Sequence, residues 1–327
     1  MYRRQLPIIA AATAFTLGRP ALAQTGWPSR SIRIVVTFPP GGSSDLVARV
    51  LADVLSQKLP QRVIVDNRPG AGGTLGAAHV ATQPADGYTL LLSNTAPIVT
   101  SPPLYPNVAY DPAAGFTHIA YLGATPLVIM VNPRQVPANV TDLAGLVAWA
   151  KAQPAPPGYG SSGAGSVHHI FGEALMARTG VRLTHVPYRG SSPMLADLLG
   201  GAIPIGFDTL PQNVENIRSG RLRAIAVTSP MRQAMAPEVP TTGEAGFAGL
   251  LAENWLGFSA PPGLPAPIAA KLHAEVTAAL ALPPVQRRWE ELGIALRPMS
   301  QAEFTAFVAD QVKTVGGAVR ALGITAQ

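Results

Sequence analysis

Residues 38–51 read FPPGGSSDLVARVL. An apolar run, IRIVVTF from Ile32 to Phe38, ends there. Two prolines, two glycines and two serines follow. Asp45 then opens a stretch with apolar residues at Val47, Val50, Leu51, Val54 and Leu55. The first run is short and predominantly apolar, as a buried strand is, and the spacing behind it is that of one helical face. Glycines and serines at such a junction turn backbone N–H groups toward a helix start, where negative charge is favoured. The stretch therefore predicts a strand–loop–helix unit with an anion held by Gly41, Gly42, Ser43 and Ser44.

Working outward, the same alternation continues. RVIVDN and YTLLLS read as strands, with a Gly-rich turn and a helix, RPGAGGTLGAAHVATQ, between them. A βαβαβ order implies a largely parallel sheet covered on both faces by helices. A second unit runs from PLVIMVNP through the helix TDLAGLVAWAKAQ, with Thr141 as its expected N-cap, to RLTHVPYRG, AIPIGFDTL and RLRAIAVTS. The tail from Pro265 has helical spacing. No Gly/Ser-rich linker separates the units, which predicts lobes joined by crossing strands. The candidates are THIAYLGATPLVIMVNP and AENWLGFSAPPG.

Composition narrows the function. Of 327 residues, 47% are apolar and 13% charged, which excludes a disordered chain. Cysteine is absent, so there is no disulfide framework, thiolate metal site or cysteine nucleophile. The N-terminus has Arg3 and Arg4, an apolar run from Leu6 to Leu17, and Ala21-Leu22-Ala23. That is the order of an export signal, read as residues 1–23, by the general or the twin-arginine route. Its removal lowers the formal charge from +6 to about +3, too mild to argue for nucleic acid.

A second glycine–serine loop, Ser161-Ser162-Gly163-Ala164-Gly165-Ser166, precedes the helix that starts at Val167. Each loop alone also reads as an ordinary N-cap and turn. Two of them, one per unit, point to a shared anion. Charge-assisted hydrogen bonds contribute about 1.5–3 kcal/mol each, and a micromolar ligand needs about 8 kcal/mol net. GYGSSG (158–163) has dinucleotide-loop spacing, but PAPP precedes it and no acid follows at the required offset. There is no phosphate-binding G-x-x-x-x-G-K, no G-x-S-x-G and no H-E-x-x-H. His168 and His169 are neighbours and point different ways on a helix; His168 reads as a pocket wall, and no metal or cofactor is expected. Asp45 reads as a helix-dipole partner or as an acceptor for a ligand amine or hydroxyl. Asp208 reads as a cap for the next helix or as a cleft residue.

Taken in order, FPPGGSSDLVARVLA, DNRPGAGGTLGA, DGYTLLLSN, YGSSGAGSVHHIFGE, HVPYRGSSPMLADLLGG, FDTLP, GRLRAIAVTS, VPTTGEAGF and WLGFSAPPGLP span nearly all of the chain after the export segment. In these stretches it resembles the substrate-binding proteins of tripartite tricarboxylate transporters, the Bug-type periplasmic receptors. The resemblance implies an α/β, type II-like periplasmic-binding-protein clamshell, each lobe a mostly parallel sheet flanked by helices, with a crossing-strand hinge. Residues 24–123 and 252–327 would form one lobe and 124–251 the other. It implies a monomeric periplasmic receptor that is not an enzyme and that delivers a small carboxylate to the membrane permease subunits of such a transporter. The ligand would be a dicarboxylate, tricarboxylate, acidic amino acid or aromatic acid. Carried onto this chain, the site is Gly41–Asp45 and Ser161–Ser166, with His168 and Asp208 at the cleft and Asn94 and Thr95 as candidate selectors. The apolar APIV (96–99) beside them favours an apolar-bodied acid. The competing function is a secreted enzyme, either nucleotide-dependent through GYGSSG or a hydrolase using Ser162 and His168.

Overall fold

Ile32–Val36 (β1) pairs in parallel with Val63–Asn67 (β2) on one side and Thr89–Asn94 (β3) on the other. Ser43–Lys58 (α1) and Thr74–Ala81 (α2) are the crossovers between them. The structure is a computed structural model and describes residues 26–105, 107–321 and 323; the expected export segment lies outside the described residues. Both faces of β1 are buried. Ile32, Ile34 and Val36 share a core with Leu51 and Leu55 of α1, and Val35 shares another with Ala77 and Val80 of α2. A strand covered along most of both faces shows little polar alternation, which is why IRIVVTF reads as an apolar run interrupted at the exposed Arg33.

The 15-residue strand Thr117–Val131 (β4) changes partners midway. Its first part pairs antiparallel with Glu253–Ala260 (β9), which also lies against β3. From Leu127 onward it pairs with Ile205–Thr209 (β7) and Arg223–Val227 (β8). Pro126, with no N–H to give to a ladder, stands at the handover, opposite Glu253. Gly158–Ser161 (β5) is parallel to β7 and to Thr184–Pro187 (β6). The order is therefore β2-β1-β3-β9-β4-β7-β5-β6, with β8 also on β4. Two lobes result, and β4 crosses between them.

In the second lobe lie Leu143–Lys151 (α3), Val167–Thr179 (α4), Ser191–Gly200 (α5) and Val214–Arg218 (α6). Leu127, Ile129 and Val131 of β4 face a core with Phe171 and Phe207, while Val128 and Met130 face another with Met194 and Leu198. The chain then returns to the first lobe through β9, which is followed there by Ala266–Leu280 (α7), Pro283–Glu291 (α8) and Gln301–Ala321 (α9). Among the described residues no helix is long and apolar enough to cross a membrane.

Two local expectations are revised. The N-cap of α3 is Asp142, whose carboxylate accepts from Gly145 N at 2.7 Å, rather than Thr141. An ionised acceptor makes the stronger cap bond. In GYGSSG, the first four residues are β5 itself, so its first two glycines are not in a turn. A Cβ on Gly160 would collide with Ile203 and come within 2.6 Å of Met194. That glycine is there for packing.

Candidate functional site

The ends of β1 and β3 and the starts of α1, α4 and α5 surround a cavity of about 160 Å³. Gly42, Ser43 and Ser44 form its first wall. Helix α1 has Gly42 as N-cap and no side chain capping it, so its first N–H groups are left without a capping acceptor. Gly41 stands just behind, in the left-handed region at φ +88°. Its N–H donates to Asp45 Oδ2 at 3.0 Å. Asp45 does not line the cavity. Its buried carboxylate takes two bonds from Arg49, at 2.9 and 3.0 Å, and one from Asn67 Nδ2 at 3.0 Å. Burial pushes this carboxyl up, but the bonds from Arg49, Gly41 and Asn67 outweigh it and hold the group below the usual range. Asp45 thus shapes the loop and presents no charge to the cavity.

The second loop divides its work. Ser162 and Ser166 line the cavity, together with Val167 and His168. Ser166 also caps α4, accepting from His169 N at 3.2 Å. Ser161 turns away to His185 Nε2, 2.7 Å distant. Gly163 and Ala164 line a larger adjoining hollow of about 610 Å³ that faces Gly70–Gly73 and shares Phe38, Pro39, Ser162 and Ser166 with the cavity. Gly165 is held from both lobes: its N–H donates to His169 Nδ1 at 3.1 Å, and its carbonyl accepts from Thr100 Oγ1 at 2.7 Å.

Asn94 and Thr95 part company because Asn94 ends β3 while Thr95, at φ −50° and ψ −42°, already turns into the helical segment that follows. Asn94 lines the cavity and donates to Ser44 Oγ at 3.3 Å. Thr95 points behind the sheet, donating to Glu253 O and accepting from Trp255 N at 2.9 Å. Of APIV, only Ala96 reaches the cavity. Residues 96–100 form one wide helical turn that buries Ile98 and Val99 in the core of the first lobe. The apolar wall comes instead from Phe38, Pro39 and Pro40.

His168 and Asp208 lie in one chain of contacts. Ser162 Oγ is 2.7 Å from His168 Nδ1, and His168 Nε2 is 3.5 Å from Asp208 Oδ1. That last separation is too long for a hydrogen bond, and Nε2 has no partner among the described residues. Asp208 stays behind the wall, accepting from Ser191 Oγ at 2.7 Å, Thr209 N at 2.8 Å and Asn213 Nδ2 at 3.2 Å. Burial drives the His168 pKa down against the opposing pull of Asp208, so the cavity meets a neutral imidazole.

The opposite wall is Arg189, Gly190, Ser191, Ser192 and Pro193, and Asn254 of β9 completes it. None of these was among the residues singled out above. The signal was present: RGSSPML before α5 repeats the GGSSDLV pattern before α1. Helix α5, like α1, has a glycine N-cap and no capping side chain. The two starts face each other closely. A Cβ on Gly190 would lie 3.4 Å from Pro39, and one on Gly41 would lie 3.9 Å from Ser192 Oγ. No acidic side chain lines the cavity, while the exposed Arg189 stands at its edge and also lines the larger hollow. Among the described residues no group of three or more His, Asp or Glu is placed to hold a metal.

Comparison with known proteins agrees with this architecture. The family model described as tripartite tricarboxylate transporter family receptor matches residues 47–324. Protein BugT of Bordetella pertussis is 36% identical over 308 residues, covering 94% of this chain and 93% of BugT. Rpa4515 of R. palustris, solved with adipate, superposes with a TM-score of 0.85 at 33% identity, covering 92% of this chain and 99% of its own. MatC from Rhodopseudomonas palustris, solved with bound malate, gives 0.83 at 31% identity, covering 90% of this chain and all of its own. The chain belongs to the tripartite tricarboxylate transporter receptor family.

Proposed function

We propose that this protein is a periplasmic receptor, exported by residues 1–23, that captures a small dicarboxylate between its lobes and delivers it to membrane permease subunits. One observation carries the reading: two uncapped helix starts, α1 and α5, meet from different lobes across a cavity with no acidic lining. Each offers N–H groups and a positive dipole end to an anion. Their serines and Asn94 add neutral donors. The cavity is comparable to one of ~150 Å³ that admits benzene, which suits one carboxylate head with a short apolar body. Phe38, Pro39 and Pro40 would contact that body, and Arg189 at the edge would meet a second carboxylate. The adipate of Rpa4515 and the malate of MatC support a dicarboxylate. Lobes of residues 24–123 with 252–327 and of 124–251 are supported by the handover of β4 at Pro126 and the entry of β9 at Glu253.

Calorimetry against malate, adipate, glutamate, citrate and benzoate tests the proposal. A dicarboxylate is expected to bind at one site with micromolar or better affinity. A folded protein that binds none of these acids would overturn the reading.

The Ser162–His168 contact gives the hydrolase reading its one specific support. Against it, the imidazole nitrogen that would need an orienting partner has none among the described residues. Incubation with an activated ester such as p-nitrophenyl acetate separates the two readings, since a receptor shows no Ser162-dependent turnover.

A further inference from the structure

Strand β9 has two faces, and only one belongs to the cleft. Asn254 lines the front cavity, whereas its neighbours Glu253 and Trp255 line a separate hollow of about 640 Å³ behind the crossing strands. That volume is in the range of small-molecule sites. Its walls come from both lobes: Ile170 and Phe171 of α4 on one side, Phe307 and Val315 of α9 on the other. Ile170 also packs against Val319 of α9 at the inner end.

The threonine hydroxyls of this hollow are already bonded, Thr95 to Glu253 O, Thr100 to Gly165 O and Thr314 to Asp310 O, whereas its charged side chains are not. Trp255 is 2% exposed, and its indole Nε1 has no hydrogen-bond partner among the described residues. The Arg297 guanidinium lies 5.6 Å from the ring centre of Tyr121 and 5.5 Å from that of Phe307. Neither Arg297 nor Glu253 makes an ion pair among the described residues, and both are exposed at the rim. The hollow thus offers one positive charge, one negative charge and apolar walls.

We infer that this hollow is a second ligand site, and that it takes an apolar α-amino acid as its zwitterion. The carboxylate pairs with Arg297, the ammonium with Glu253, and the side chain lies between α4 and α9. A simple acid would meet Glu253 with like charge, and a simple amine would meet Arg297, so charge complementarity selects the zwitterion. An occupant touches both lobes and is placed to bias their relative rotation. The inference does not depend on what the front cavity binds.

The test uses the mature protein and L-phenylalanine, followed by calorimetry and tryptophan fluorescence. Saturable 1:1 binding with a fluorescence change is expected. Phenylacetate and 2-phenylethylamine, each lacking one charge, should bind at least about fivefold more weakly. Arg297→Gln and Glu253→Gln, both at exposed positions, should each weaken L-phenylalanine by a similar factor. Gly42→Val, which fills the front cavity, should leave L-phenylalanine binding unchanged. Failure of L-phenylalanine to bind overturns the inference, as does equal binding of phenylacetate. So does loss of binding in Gly42→Val with none in Arg297→Gln, since the amino acid would then be a front-cavity ligand.

Discussion

Thr100 Oγ1 donates to the carbonyl of Gly165 across 2.7 Å, and so ties the segment after β3 in one lobe to the glycine–serine loop of the other. Ser101 Oγ lies 3.0 Å from the same carbonyl and 2.8 Å from Gly72 O. These hydroxyls hold the second loop against the first lobe beside the cavity. Thr100→Val keeps the shape and removes one of the bonds. A neutral hydrogen bond contributes about 1 kcal/mol, so the dicarboxylate Kd should rise about fivefold. Calorimetry and a urea melt check this, with unfolding free energy expected to fall by no more than about 1 kcal/mol.

Gly42 tests whether the first loop touches ligand. Its backbone (φ −81°, ψ 169°) is open to any residue, and an added Cβ meets nothing closer than Pro39 O at 3.9 Å. Gly42→Val should therefore fold with a stability change below about 1 kcal/mol while its side chain occupies the cavity. Dicarboxylate binding should fall by two orders of magnitude or more, about 3 kcal/mol. Unchanged affinity in the folded variant would show that the ligand sits elsewhere.

Ser162→Ala removes the hydroxyl that meets His168 Nδ1. Helix starts carry most of the anion contact in the proposed complex, so affinity should drop about fivefold to tenfold and not vanish. The same variant should show no change in ester hydrolysis.

Stability should respond to acid in two separate windows. Burial, with His169 alongside, brings His185 down to about 4, and burial brings His118 down to about 4. Below the ordinary histidine value of 6.5 the unfolded chain takes up protons that these folded sites refuse. Their contribution is complete above pH 6.5 and is lost as pH falls from there toward 4. Burial pushes the carboxyls of Asp45 and Asp66 up, but hydrogen bonds from Arg49 and from Arg68 and Arg33 outweigh it. Glu173 is held down by His169, whose Nε2 lies 3.5 Å away, against burial and with a bond from the Tyr159 hydroxyl, so all three stay below their ordinary values. Their contribution is lost only below about pH 4.5, where unfolded carboxyls begin to protonate. Urea unfolding between pH 7 and pH 5 should thus report the histidines, and His185→Asn should flatten that slope. His185 also stacks on His169 with ring centres 3.9 Å apart and contacts Ser161 Oγ at 2.7 Å, but it stays neutral in the folded protein down to about 4, so ligand affinity should hold between pH 7 and pH 5 and weaken only near pH 4.

The α/β alternation was legible because it is a local property. IRIVVTF and the Val47–Leu55 spacing carry their own periods, and a strand followed by glycines, serines and a helix has few ways to pack. The two loops were legible for the same reason. The Asp45–Arg49 pair is four residues apart on one helix, so it too lay within reach of the sequence. Other features came only with tertiary structure, because each depends on a segment far along the chain. The facing of Gly190 and Pro39 needs β4 to carry the chain across the hinge. The turning of Thr95 away from the cavity depends on Trp255, 160 residues later. Gly160 owes its place to Met194 and Ile203, not to a nucleotide. Sequence by itself determined the strand–helix alternation and two of the glycine–serine loops. Only the packing of one lobe against the other decided which backbone donors share a cavity, since convergence is a matter of long-range contacts that no local pattern encodes.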